Sequence, residues 1–392
     1  MTTLKPESDE FKIIETYVKN NIAHREQLES LMVYIRKSDV LWKHNFNDYI
    51  KKYQITHLGK TLNTDHWYDL PEDKCLQLKA AYYEKPDFEL VKKNLKAVYD
   101  GSTIIGTITN YYVKDLMAKV KLESPRWSIE EVFESMDLIR YFWSRVLSSD
   151  KVYPKTNSDI ENFEAALRLS GGGVAMKPSN YPIKSVDDIL FRYNINGKYY
   201  DFSCGWGVRM LSSLRNRVEY YGTDPNNLLV ERLNQMATDY NTVNGTSAKY
   251  DIRCHGSQTF VPEWENTIGV AFSSPPYFSL EDYKIGDQSF KPGTTYQEWL
   301  DTYLRPTLEN IKKYLIDDGK MLINIKDFLN YKLCADTRAI AESIGFYYVE
   351  SITLKNITRP SAKVDINTDE SIMVFSKKPE KPVPVTLDHL FS

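Results

Sequence analysis

From Lys198 onward, short apolar runs alternate with stretches of helical periodicity, and no other feature limits the fold of this chain as much. KYYDFS reads as a strand, VRMLSSLRN as a helix, VEYYGTD as a strand and NNLLVERLNQMATDYN as a helix. YDIRCHG and TIGVAFSS follow as strands, then YQEWLDTYLRPTLENIKKYL as a longer helix. A capping box, Thr295 with Glu298, opens that helix; Pro306 kinks it and Asp317-Asp318-Gly319 stops it. KMLINIKD is the next strand, ADTRAIAESIG a helix, and FYYVESITLKN and ESIMVFSKK the closing strands. Strand and helix in regular succession give an α/β fold, a mainly parallel sheet with helices on both faces. Two final strands with no helix between them predict an antiparallel hairpin at one edge.

Upstream the pattern differs. Residues 1 to about 150 read as mostly helical. In SPRWSIEEVFESMDLIRYFWSRVL, Ser128 and Glu131 form a capping box, and Phe133, Ile139, Phe142 and Trp143 make an aromatic stripe that reads as core. ITHLGKTLNTDHWYDLPEDK is polar and turn-rich, as an exposed loop is. Composition changes at LSGGGVAMKPSNYPIKS, where Gly171, Gly172 and Gly173 mark a hinge. We therefore expect a mostly helical domain over 1–170, an α/β domain over 171–378 and an extended Pro-rich tail over 379–392.

Composition narrows the function only a little. A net charge of −3 is not that of a nucleic-acid coat, but an enzyme visiting nucleic acid needs only one basic face. Cys75, Cys204, Cys254 and Cys334 lie far apart with no C-x-x-C pair, which argues against a zinc site or a disulfide framework. The start, MTTLKPESDEFKIIETYV, lacks a signal-peptide apolar core, and no apolar run approaches the roughly 18 residues of a membrane span. A cytosolic protein without metal or membrane partner is expected.

Three segments carry chemistry. In YYDFSCGWGVRML, Gly205 and Gly207 follow a strand ending at Asp201 and precede a helix, a turn that lets the backbone approach a cofactor; a plain tight turn is the alternative. In VEYYGTDPN, Asp224 ends the next strand, 17 residues after Gly207, close to the roughly 20 expected of a ribose-binding acid; a helix N-cap is the other role open to it. In VAFSSPPYFSL, an apolar strand runs into two prolines that supply no backbone donors, at the sheet end where ligands bind.

Ser274-Pro275-Pro276-Tyr277 resembles the catalytic tetrad of S-adenosylmethionine-dependent amino-methyltransferases of DNA, the cytosine-N4 and adenine-N6 family. The continuation is similar through Asp282-Tyr283, Gly286, Gln288, Tyr296-Gln297-Glu298, Asp318-Gly319 and Lys326-Asp327, and the likeness runs from about residue 175 to 378. Here the glycines precede the tetrad, a permuted order. Cys204 and Trp206 replace commoner small residues, Glu281 stands where relatives often carry Arg, and Gly256-Ser257 lacks the acid often found there.

The resemblance implies a Rossmann-like methyltransferase fold with a seven-stranded sheet. It implies S-adenosylmethionine as cofactor, held by Tyr181, Pro182, Asp201, Phe202, Ser203, Cys204, Gly205, Gly207, Asp224, Pro225 and Ser273. Ser274 Oγ and the Pro275 carbonyl would accept hydrogen bonds from an exocyclic base amine, with Pro276 holding them rigid. Tyr277 or Phe278 would stack on a base flipped from the duplex, and Tyr283 and Lys284 would touch substrate from a long loop that closes over the DNA or the extruded base. DNA is the implied partner, with a second copy or a restriction enzyme as further partners, in the cytoplasm of a bacterial or phage-infected cell; residues 1–170 would recognise the target. Ser at the tetrad's first position favours cytosine N4. Methylation of an RNA base or a glutamine amide, and an inactive DNA-binding subunit, are the alternatives.

Overall fold

The computed structural model describes residues 56–57, 60–61, 70–122, 127–136, 138–140, 142–143, 158–169, 178–284, 286–291, 293–327, 329–353 and 371–379. Gly171–Gly173, most of the 55–74 segment and the Pro-rich tail beyond 379 lie outside them. The chain divides into two compact units, residues 1–83 with 130–175, and residues 84–129 with 176–392.

The first unit contains helices Glu72–Tyr83 and Asp159–Leu169. Phe133, Ile139, Phe142 and Trp143 are all buried there, so the aromatic stripe is core. Tyr82 and Phe163 pack on Phe133 with ring centroids 4.8 and 5.5 Å away.

The second unit is built on a seven-stranded sheet. Its strands are β1 Lys198–Asp201, β2 Glu219–Asp224, β3 Tyr250–Cys254, β4 Ile268–Ser273, β5 Leu315–Ile325, β6 Tyr347–Thr353 and β7 Ser371–Ser376. They lie in the order β3-β2-β1-β4-β5-β7-β6. The five strands from β3 to β5 pair in parallel, whereas β7 runs antiparallel to both β5 and β6. This is the doubly wound α/β topology with the expected hairpin at one edge. The strand order reverses between β1 and β4, the switch point where a ligand crevice opens.

Helices cover both faces, which is why the strands are apolar at successive positions rather than at alternate ones. Tyr199, Val270, Leu322 and Val374 pack toward one face; Tyr200, Ala271, Met321, Ile323 and Phe375 pack toward the other. On the first face lie α1 Phe88–Tyr99, α2 Gly106–Lys119, α3 Ile183–Tyr193, α4 Val208–Arg215 and α5 Asn227–Asn244. α6 Arg305–Tyr314 and α7 Leu333–Ser343 cover the second. Residues 84–129, placed by the sequence in an N-terminal domain, thus group with the sheet. Tyr112 donates to Asp239 at 2.6 Å and joins α2 to α5.

Two local features depart from the sequence reading. Tyr296–Trp299 is a helical turn with the expected Thr295–Glu298 capping box, but Leu300–Leu304 is a π-turn rather than a simple kink. Pro306 explains it: the ring lacks an N–H and collides with the carbonyl four residues back, so the chain widens and Arg305 N–H reaches Leu300 O instead. Asp317-Asp318-Gly319 does not stop the helix, which ends at Tyr314. It bulges within β5, where the register on β4 jumps from Ile268–Leu315 to Val270–Lys320. Gly319 is needed there because a Cβ would lie 3.2 Å from Gly269 O on the neighbouring strand.

Candidate active site

Loops at the carboxyl ends of β1, β2, β3 and β4 surround one pocket. Phe202, Ser203, Gly205 and Trp206 come from the turn after β1; Asp224, Pro225, Asn226 and Leu229 from β2 and the start of α5. Gly256, Ser257 and Gln258 follow β3, and Pro276 follows β4. Tyr303 enters from the π-turn, and Tyr283, Asp287, Gln288 and Ser289 from the loop beyond the tetrad.

The turn after β1 is shaped by its glycines. Gly205 has φ +57° and Gly207 φ +85°, values that disfavour any side chain. Gly207 does not line the pocket. A Cβ there would lie 2.7 Å from Leu233 Cδ2, so its second role is the packing of α4 on α5. Cys204 points inward, its Sγ 2.6 Å from where a Cβ on Gly222 would sit, and burial pushes its thiol well up. It is an inert core side chain.

Asp201 is fully buried behind the turn rather than in the pocket. Its Oδ2 accepts from Arg209 Nε at 2.8 Å and from the Tyr220 hydroxyl at 3.0 Å. Tyr181 lies over Arg209, with the guanidinium carbon 5.8 Å from its ring centroid, and Pro182 is the exposed residue ahead of α3. Neither touches the pocket. Asp224 does line it. Oδ1 accepts from Asn226 N at 3.0 Å, while the helix N-cap is Asn226 itself, whose Oδ1 accepts from Leu229 N at 3.1 Å. Burial pushes the Asp224 carboxyl up to about 7, only partly offset by the Asn226 amide. Asp224, Leu229 and the aromatic pair Trp206 and Tyr283, with centroids 6.3 Å apart, are the residues that could hold a nucleoside cofactor.

The tetrad begins where β4 ends. Ser273 Oγ donates to Ser203 O at 3.2 Å, tying it to the glycine turn. Ser274 is half-buried and Pro275 buried. Ser274 Oγ donates to the Tyr277 hydroxyl at 3.5 Å, and that hydroxyl donates to Asn324 O at 3.2 Å. Tyr277 and Phe278, the rings expected to stack on a base, are only 7% and 4% exposed. Their rings are core: Phe278, at φ +51°, packs against Phe290, Tyr296, Trp299 and Tyr331. The Tyr277 hydroxyl is the part of that side chain that reaches Ser274 and Asn324.

The described part of the loop after the tetrad is internally braced and lines the pocket through Tyr283, Asp287, Gln288 and Ser289. Gln288 accepts from Tyr283 N at 3.0 Å and donates to Asp282 at 3.2 Å, and residues 281–282 pair antiparallel with 121–122. Lys284 is held by Asp282 at 2.8 Å. Sequence reasoning missed Tyr303, Leu229, Gln258, Asp287 and Ser289. Leu229 was within reach, since the first turn of the helix after β2 faces this crevice; Tyr303 was not, because the π-turn alone brings it round.

Among the described residues no three His, Cys, Asp or Glu side chains group to hold a metal, and no helix is long and apolar enough to cross a membrane. No curated protein matches the chain. Similar solved structures include a TehB-like SAM-dependent methyltransferase from Corynebacterium glutamicum, 15% identical, covering 55% of this chain and 94% of that one with a TM-score of 0.33. Another is a methyltransferase from Pyrococcus furiosus, 17% identical, covering 55% and 93% with a TM-score of 0.35. The DNA methylase family model, of the N6/N4 type, matches residues 268–389 and so spans β4, the tetrad and the strands β5 to β7. The tetrad-bearing part of this chain is therefore similar to the DNA methylase family of the N6/N4 type.

Proposed function

We propose that this protein transfers a methyl group from S-adenosylmethionine to the exocyclic amine of a DNA base, cytosine N4 or adenine N6, after the base is flipped from the duplex. The observation that carries this reading is a single pocket bounded by both the glycine turn and Pro276 of the tetrad. The residues fit the cofactor. Asp224 offers a carboxylate to a ribose, and Gly205 lets the backbone approach closely. When bound, S-adenosylmethionine supplies an electrophilic methyl on a positively charged sulfur.

This chain's residues prepare the nucleophile. A base amine is weakly nucleophilic because its lone pair is delocalised into the ring. Ser274 Oγ and the Pro275 carbonyl accept hydrogen bonds from its two N–H groups and favour a pyramidal nitrogen with its lone pair directed outward. Ser274 directs its own proton to Tyr277, leaving its oxygen lone pairs for the amine. Two prolines keep both acceptors from reorienting. Ser rather than Asp at position 274 favours cytosine N4. The test is mass spectrometry of DNA, RNA and protein incubated with the enzyme and methyl-labelled cofactor. Label on cytosine N4 or adenine N6 is expected; label only on RNA or protein, or on nothing, overturns the proposal.

A further inference from the structure

We propose that Arg209 is a positioning residue that sets the separation between the cofactor turn and the catalytic tetrad, an inference that rests on the function proposed above. Arg209 is the second residue of α4, and its side chain is only 7% exposed. It folds back beneath Gly205, where a Cβ would lie 3.2 Å from Nη2. Nε is committed to Asp201 at the end of β1. Nη2 donates to the Ser203 carbonyl in the turn and, at 3.3 Å, to Ser273 Oγ, the residue immediately before Ser274. Ser273 Oγ in turn donates to Ser203 O at 3.2 Å, so three polar groups close a triangle.

The triangle sits where the sheet can no longer do this work. β1 and β4 pair through Tyr199–Val270 and Tyr200–Ala271. Beyond that ladder the strands diverge, one into the glycine turn and the other into the tetrad. Arg209 and the Ser273 hydroxyl continue the tie past the last ladder pair. Stability alone does not account for a buried ion pair, because apolar side chains of similar volume pack as well. A planar guanidinium can touch β1, the turn and β4 at once, in fixed directions; a lysine ammonium is a point charge that cannot.

The test compares S273A, R209K and the double variant with wild type. S273A deletes one hydroxyl and leaves the Arg209–Asp201 pair intact, so it keeps the test valid if R209K folds poorly. In S273A, kcat for methyl transfer to DNA should fall about ten- to hundredfold while cofactor Kd changes less than about threefold. The double variant should be no slower than R209K, since both break one tie. Amide hydrogen exchange reads the tie without activity: in S273A, exchange at Ser203–Trp206 and at Ser274, Tyr277 and Phe278 should accelerate together, with α6 unchanged. An unaltered kcat, additive losses, or acceleration confined to one segment overturns the inference. Wild-type protein that methylates no base overturns the proposed function instead, and the exchange result alone then decides whether Arg209 ties the two segments.

Discussion

In the proposed mechanism Ser274 and Tyr277 divide one task between them: Ser274 supplies an acceptor oxygen, and Tyr277, anchored to Asn324 O, accepts the hydrogen bond of the serine hydroxyl. Ser274→Ala should therefore lower kcat on the order of a hundredfold with cofactor Kd unchanged, as loss of one preorganised polar group does. Tyr277→Phe keeps the ring in the core and removes only the proton's destination. It should cost about fivefold in kcat, the factor corresponding to ~1 kcal/mol for a single hydrogen bond. Steady-state kinetics with calorimetric Kd values checks both; a Tyr277→Phe enzyme as slow as Ser274→Ala would mean that the ring itself meets the substrate. Gly207 has a different kind of importance. With φ +85° and Leu233 and Met236 against its open face, Gly207→Ala should destabilise the protein by roughly 2–3 kcal/mol, measured by urea unfolding.

At the scale of elements, the strand and helix positions were legible because periodicity reports burial. Both faces of β1 and β5 are covered, so Tyr199-Tyr200 and Met321-Leu322-Ile323 read as unbroken apolar runs. The crevice was legible in Gly205, Asp224 and Pro276 because each lies at or just beyond the carboxyl end of a parallel strand. What stayed hidden was direction. Nothing in SPPYF tells that Tyr277 and Phe278 turn inward, and Pro306 marks a break in YQEWLDTYLRP without telling that the helix widens into a π-turn. That widening brings Tyr303 into the pocket, where burial pushes its hydroxyl pKa up and keeps it a neutral hydrogen-bonding group. Pro306→Ala restores the missing N–H and allows regular α-helix, which would rotate Tyr303 away. Cofactor affinity should weaken by about 1 kcal/mol, the scale of one misplaced polar contact, while the melting temperature holds or rises. Undiminished affinity would mean that the π-turn owes nothing to Pro306, or that Tyr303 does not touch the cofactor.

For the molecule as a whole, the same switch-point crevice that permits binding also carries a cost, and Asp224 makes it measurable. Its carboxyl ordinarily titrates near 3.8, but burial raises it to about 7 in the fold. Between those values the folded chain holds a proton that the unfolded chain has released. The contribution to stability is therefore complete below the lower value and is lost as pH rises through the higher one. A ribose reverses the preference, because the ionised carboxylate can accept from both hydroxyls whereas the protonated form must donate one of its sites. Cofactor binding should thus expel a proton, and affinity should weaken as pH falls below about 7, by up to about tenfold per unit. Asp224→Asn separates the two effects. At about pH 8 the ligand-free variant should melt higher than wild type, and the difference should vanish toward about pH 4, where wild type is protonated. The same variant should bind S-adenosylmethionine more weakly, with affinity no longer following pH, so that saturating cofactor raises its melting temperature less than that of wild type. Thermal scans with and without cofactor across this range test the linkage; a ligand-free variant that melts below wild type at every pH would mean that Asp224 is a structural anchor and not the acceptor for the ribose.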